Sequence, residues 1–187
     1  MGFTQFIEEY RVAYQTTLIE LDSQKIEHIM TKLIEARDKG RTIFVLGNGG
    51  SAASASHWVC DFNKGANKEG RARFRFMCLS DNLPIVTALG NDLSYNDIFV
   101  EQLKNFLLPE DVVVVLSVSG NSKNLIEAVA YANEQQGTTI SIIGDYKGQL
   151  KGLSQETLVI PSKNYGIVED VHMYLGHVMS QYLYEQE

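Results

Sequence analysis

One segment constrains the fold of this chain more than any other: residues 42–62, TIFVLGNGGSAASASHWVCDF. Thr42 to Leu46 are β-branched or apolar on both faces, as in a parallel strand buried from both sides, and from Ser51 the residues are small and helix-compatible. The reading is strand, tight turn, helix, with Ser51 as the N-cap. Gly47, Gly49 and Gly50 allow a sharp turn and close approach of a ligand, and the first N–H groups of the helix point at any anion placed there. One turn further on, His57 and Asp61 stand at i and i+4 on one helix face, a pair suited to acid–base work or metal ligation.

With 187 residues and 44% hydrophobic content, the chain is expected to form a single domain over residues 1–187. It has no apolar run approaching the roughly 20 residues of a membrane span and no charged-then-apolar leader, so a cytoplasmic protein with no membrane partner is expected. Cys60 and Cys78 lack metal or redox spacing and are read as reduced core thiols. The formal net charge of −7 argues against nucleic acid as a partner, and it means that an anionic substrate must be held by local donors. Arg71, Arg73 and Arg75 alternate as on one solvated strand face.

In chain order, apolar residues at helical spacing predict a helix over 4–21 and a second one from an N-cap at Ser23 to Gly40. Such a pair exceeds what one sheet face needs, which points to packing on another subunit. After a polar loop over 63–70, a strand is predicted over 72–79. A short helix from Asn82 to Ala88 follows, broken by Leu89-Gly90-Asn91-Asp92, and helical spacing resumes over 95–107. Strands are predicted over 112–119, 138–144 and 157–160, a helix over 124–136, and a closing helix over 166–187. Alternating strands and helices make an α/β three-layer sandwich, a five-stranded mostly parallel sheet with helices on both faces. Ligands of such sheets sit at the carboxyl ends of the strands, where Gly47–Ser51 and Ser117–Ser122 would meet.

Three readings compete for the glycine turn. The spacing of Gly47, Gly49 and Ala52 satisfies a dinucleotide fingerprint, but no acidic residue ends the next strand, and a Walker-type loop would need a lysine before the serine. The third reading is a sugar phosphate, with Ser117, Ser119 and Ser122 donating hydroxyls to its phosphate alongside backbone N–H groups.

The combination of GNGGSA followed by a histidine-bearing helix, LGND and SVSGNS resembles the sugar isomerase (SIS) fold and, within it, the phosphoheptose isomerase family. The resemblance runs over nearly the whole chain. It implies isomerisation of sedoheptulose 7-phosphate to D-glycero-D-manno-heptose 7-phosphate by a flavodoxin-like domain with an extra N-terminal helix pair. It also implies a homotetramer with sites between subunits, and zinc. By the same resemblance, Asn48, Gly49, Gly50 and Ser51 line the sugar-phosphate site, Asn91 and Asp92 contact the sugar, and Ser117, Val118, Ser119 and Ser122 hold the phosphate. Asp61 and His177 become the catalytic pair, and His57, Asp61, Glu169 and His177 the metal ligands, with Glu169 also meeting substrate.

The chemistry fits those residue types, since shifting a carbonyl between adjacent carbons needs a base, an acid and stabilisation of the enediolate. Two positions depart from the family pattern: Asp61 stands where glutamate is usual and Glu169 where glutamine is usual. Aspartate is shorter by one methylene. Two neutral histidines with two carboxylates would neutralise a zinc dication, so this variant is expected to favour a bound metal. Glu169 and His177 lie eight residues apart on one helix, about 12 Å along its axis, whereas His172 is within one turn of Glu169. His28 is read as a surface residue and His172 as a satisfied or interfacial one. Two rival readings remain at this level: an isomerase of another sugar phosphate, and a non-catalytic phosphosugar-binding regulator.

Overall fold

The computed structural model describes residues 1–186. Two helices open the chain, α1 (Phe3–Ile19) and α2 (Ser23–Asp38), and strand β1 (Ile43–Leu46) follows. Next come α3 (Gly50–Cys60), continued by a π-helical turn over Asp61–Gly65, then β2 (Phe76–Cys78), α4 (Leu83–Asp92) and α5 (Val100–Phe106). The second half comprises β3 (Val112–Ser117), α6 (Lys123–Glu134), β4 (Thr138–Gly144), α7 (Leu150–Leu153), β5 (Glu156–Ile160) and α8 (Tyr165–Gln186).

All five strands run parallel in the order β2-β1-β3-β4-β5. The chain therefore leaves β1 toward one edge and returns through β3 toward the other, which makes the β1/β3 boundary the switch point where doubly wound sheets bind ligands. Strand alternation splits the core in two. Ile43, Val45, Val112, Val114 and Leu116 face α2, α3 and α8, while Phe44, Leu46, Val113 and Val115 face α5, α6 and α7. With both faces covered, β1 and β3 are buried at every position, which explains their unbroken apolar runs.

Several boundaries differ from the sequence reading, each for a local reason. Asp22, not Ser23, caps α2, its carboxylate accepting from the Lys25 N–H at 3.0 Å. The strand expected over 72–79 shrinks to Phe76–Cys78, because β1, its one neighbour, is itself four residues long. Two of the alternating arginines are engaged with backbone: Arg75 donates to the Gly40 carbonyl and Arg73 to that of Asn63. α4 runs through Gly90 to Asp92, carried by Val86 and Leu89 against the core. The helix expected from 95 starts only at Val100. Upstream of it the Ser94 hydroxyl donates to Asp97 and accepts from the Asn96 N–H, local bonds that compete with helix. β3 stops at Ser117, whose hydroxyl accepts from the Gly120 N–H and turns the chain. The closing helix is described to Gln186, and Glu187 lies outside the described residues.

Candidate active site

The two loops at the switch point build one concave seat. After β1 the chain reaches Gly49 at φ 56° and ψ −124°, a backbone conformation that glycine adopts without Cβ strain, and Gly49, not Ser51, is the N-cap of α3. No side chain caps this helix, and none caps α6 behind Ser122, whereas α2 and α4 receive side-chain caps from Asp22 and Asn82. Two uncapped helix starts thus face the end of the sheet, with N–H donors and positive dipole ends available to an anion. A cavity of about 100 Å³ lies between them, lined by Asn48, Ser51, Ser117, Val118, Ser119, Ser122, Tyr165 and Glu169. The Ser117 and Ser119 hydroxyls accept from the Gly120 and Asn121 N–H groups, which leaves their own protons free to be donated. The Ser80 hydroxyl steadies the turn by donating to the Gly47 carbonyl at 2.9 Å.

One more residue enters this seat. A methyl group built on Gly50 would lie 2.4 Å from a Glu169 carboxylate oxygen, so the Glu169 head rests on the first residue of α3. Among the described residues the carboxylate has no hydrogen-bond or ion-pair partner.

Further along, α8 runs beside α3 in the same direction. Gly176 permits the approach: a Cβ there would meet the Trp58 indole at 2.6 Å and Asp61 Oδ2 at 3.3 Å. Trp58 is fully buried and donates to the His172 carbonyl at 2.8 Å. His172 itself is buried beneath the sheet, its Nε2 at 3.1 Å from the Ile142 carbonyl, and burial pushes its pKa down to about 4, so it is neutral.

This close packing gathers a second group of functional side chains. His57 Nε2 and His177 Nε2 are 3.0 Å apart, and Asp61 Oδ1 is 3.3 Å from His57 Nε2. Asp61 Oδ2 is buried with no hydrogen-bond partner, 3.9 Å from His177 Nε2. Donor atoms of the three residues all lie within 4.8 Å of one another. Two imidazole nitrogens and an unpartnered carboxylate oxygen converging in this way could hold a metal ion. Asp61 is also the first residue of the π-helical turn, a distortion that often re-aims side chains at functional sites. A cavity of about 590 Å³ opens beside Asp61 and His177, with Lys64, Asn67, Gln181 and Tyr184 on its walls.

The structure thus brings His57, Asp61 and His177 together, and separately Asn48, Ser51, Ser117, Val118, Ser119 and Ser122. Glu169 stands with the second set and outside the three-residue cluster, two helical turns from His177. Asn91 and Asp92 end α4, exposed, with the Asn91 amide donating to Asp92 at 2.8 Å. Tyr95, Asn124 and Tyr165 escaped the sequence reading. Asn124 carried a signal, a polar residue two positions past the serine turn, whereas the roles of the two tyrosines depend on tertiary placement.

A flavodoxin-like sandwich with a serine-lined anion seat at its switch point is the architecture of a sugar isomerase domain, and the sequence profile of the SIS domain matches residues 5–144. A protein of Thermoplasma acidophilum named "Probable phosphoheptose isomerase" is 38% identical over 86% of this chain and 88% of its own length. The phosphoheptose isomerase of Aquifex aeolicus is 32% identical over 89% of this chain and 87% of its own. Among solved structures, a phosphoheptose isomerase from Francisella tularensis covers all of both chains with a TM-score of 0.90 at 22% identity, a likeness of fold. This chain belongs to the SIS domain family and, within it, to the phosphoheptose isomerases.

Proposed function

We propose that the protein is an aldose–ketose isomerase that converts sedoheptulose 7-phosphate to D-glycero-D-manno-heptose 7-phosphate. The observation that carries this reading is the pairing, along α3 and α8, of an uncapped serine-lined seat with a His57–Asp61–His177 cluster. Its substrate class is that of the phosphoheptose isomerases to which the chain is 32–38% identical.

In this reading the phosphate lies among Ser51, Ser117, Ser119 and Ser122, with Asn48, Gly49, Gly50 and Val118 lining it and Asn91 and Asp92 toward the sugar. Asp61, only 15% exposed at its side chain and with one oxygen unpartnered, takes the proton from the carbon beside the carbonyl. His177 serves the neighbouring oxygen, and His57 holds the other Asp61 oxygen in place. His57, His177 and one Asp61 oxygen would hold a zinc ion, which when bound would supply Lewis-acid polarisation of the sugar oxygen that His177 serves in the metal-free site, leaving the second Asp61 oxygen for the proton.

The working form is a homotetramer in the cytoplasm. Support for assembly comes from the large apolar side chains exposed on α1, with Val12 at 61% and Ile19 at 83%, and from an apolar groove between α2 and α8 lined by Ile26, Met30, Ile34 and Tyr182. Two free thiols suit a reducing compartment: Cys78, buried as expected, and Cys60, which is exposed and not in the core.

Turnover of sedoheptulose 7-phosphate by zinc-loaded protein tests the reading. Asp61→Asn and His177→Asn are expected to lower kcat by about 10²–10⁴ while inorganic phosphate still binds. Absence of turnover in the loaded wild type, or full activity in His177→Asn, would refute it.

A further inference from the structure

The glycine turn is held by a network that reaches beyond the phosphate seat. The Asn48 and Asn124 carboxamides pair reciprocally at 3.0 and 2.9 Å, and the Tyr95 hydroxyl donates to Asn48 Oδ1 at 2.9 Å. These three residues come from three different places. Asn48 follows β1, Asn124 lies in the first turn of α6 behind the serine turn, and Tyr95 lies just beyond the end of α4, three residues after Asp92. The amide pair joins the two halves of the phosphate seat, and Tyr95 ties that pair to the segment carrying Asn91 and Asp92.

The two ends of the network differ in how firmly they are held. Asn124 is 2% exposed, whereas Tyr95 is 58% exposed, so its ring is only loosely packed and its hydroxyl contact is what fixes it. Behind it, Ile98 and Phe99 are buried and anchor the segment to the core from the far side. A half-buried polar pair with an exposed third member is a coupling that can be weakened without unfolding the domain.

We propose that Tyr95 is a positioning residue that couples the sugar-side segment at the end of α4 to the phosphate seat through Asn48. This rests on the isomerase reading above. Tyr95 holds the Asn48 carboxamide and the Asn91–Asp92 end of α4 at one spacing, so that a ligand bound by its phosphate meets a pre-set sugar pocket and does not have to order it on binding.

The test compares wild type with Tyr95→Phe, which removes only the hydroxyl, by calorimetric titration with inorganic phosphate and with sedoheptulose 7-phosphate. The thermal midpoint and the side-chain amide resonances of Asn48 and Asn124 are followed alongside. The expected result is a phosphate Kd within about twofold of wild type, a sugar-phosphate Kd raised about tenfold, moved amide resonances, and a thermal midpoint within about 2 °C. Unchanged sugar-phosphate binding would overturn the proposal, as would equal weakening of both ligands, the mark of a merely structural role. If the wild type binds sedoheptulose 7-phosphate no better than phosphate, it is the isomerase reading that fails. The amide resonances then decide for Tyr95, and resonances unmoved in Tyr95→Phe would reject its coupling to Asn48.

Discussion

Glu169 places a negative charge where the proposed substrate places another. Its carboxylate rests on Gly50 at the start of α3 and lines the same cavity as Ser117, Ser119 and Ser122. At roughly 5 Å and an effective dielectric near 20, two like unit charges repel by about 3 kcal/mol before screening. A bare phosphate meets that repulsion in full, whereas a sugar phosphate can offset it by donating hydroxyls to the carboxylate. Glu169→Gln is therefore expected to tighten inhibition by inorganic phosphate about three- to tenfold while raising KM for the sugar phosphate, both read from steady-state kinetics. A shift of both constants in the same direction would show that the charge does not discriminate. At this scale the sequence revealed what local spacing controls. His57 and Asp61 share a helix face because they stand at i and i+4, and they do meet. The seat of Glu169 and the bond from Tyr95 to Asn48 span 119 and 47 positions of chain, and nothing local encodes them.

Among the elements, α3 and α8 bring the site together, and Gly176 sets how closely they lie. Gly176→Ala would drive a methyl group to 2.6 Å from the Trp58 indole nitrogen, in a side chain that is fully buried and bonded to the His172 carbonyl. Overpacking costs about 1–3 kcal/mol, against at most about 1 kcal/mol gained from the better helix former. The variant is expected to melt several degrees lower, and an unchanged midpoint by calorimetry would mean that α8 can step aside freely. The strands β1 and β3 were legible because burial on both faces leaves a nearly uninterrupted apolar run, and β4, rich in β-branched residues though broken by Ser141, matches its predicted bounds of 138–144. The edge strand β2 was overextended, since its length depends on β1 and not on its own residues. The π-helical turn at Asp61 has no sequence signature, and the parallel alignment of α3 with α8 is a product of topology.

For the molecule as a whole, the doubly wound plan was legible from the alternation of apolar runs, and the order β2-β1-β3-β4-β5 puts both glycine- and serine-rich loops at one switch point. On the reading proposed above, that plan separates two tasks along one direction: the phosphate seat between the N-termini of α3 and α6, with the start of α8 on its wall, and the His57–Asp61–His177 cluster further down α3 and α8. Gly50 and His57 are seven residues apart on α3, about 10 Å at about 1.5 Å per residue. An extended carbon chain with bonds of about 1.5 Å advances about 1.3 Å per carbon, so C2 and the phosphorus of a 7-phosphate stand about 9 Å apart. A five-carbon ketose phosphate falls short by two carbons, about 2.5 Å, when misplacement by about 1 Å can cost on the order of a hundredfold in rate. Its kcat/KM is expected to lie at least about a hundredfold below that of the seven-carbon substrate, and equal values in a direct competition assay would contradict this. On the isomerase reading proposed above, the two helices lying side by side serve as a ruler: one end grips the phosphate, and the reacting carbons are the ones that reach the other.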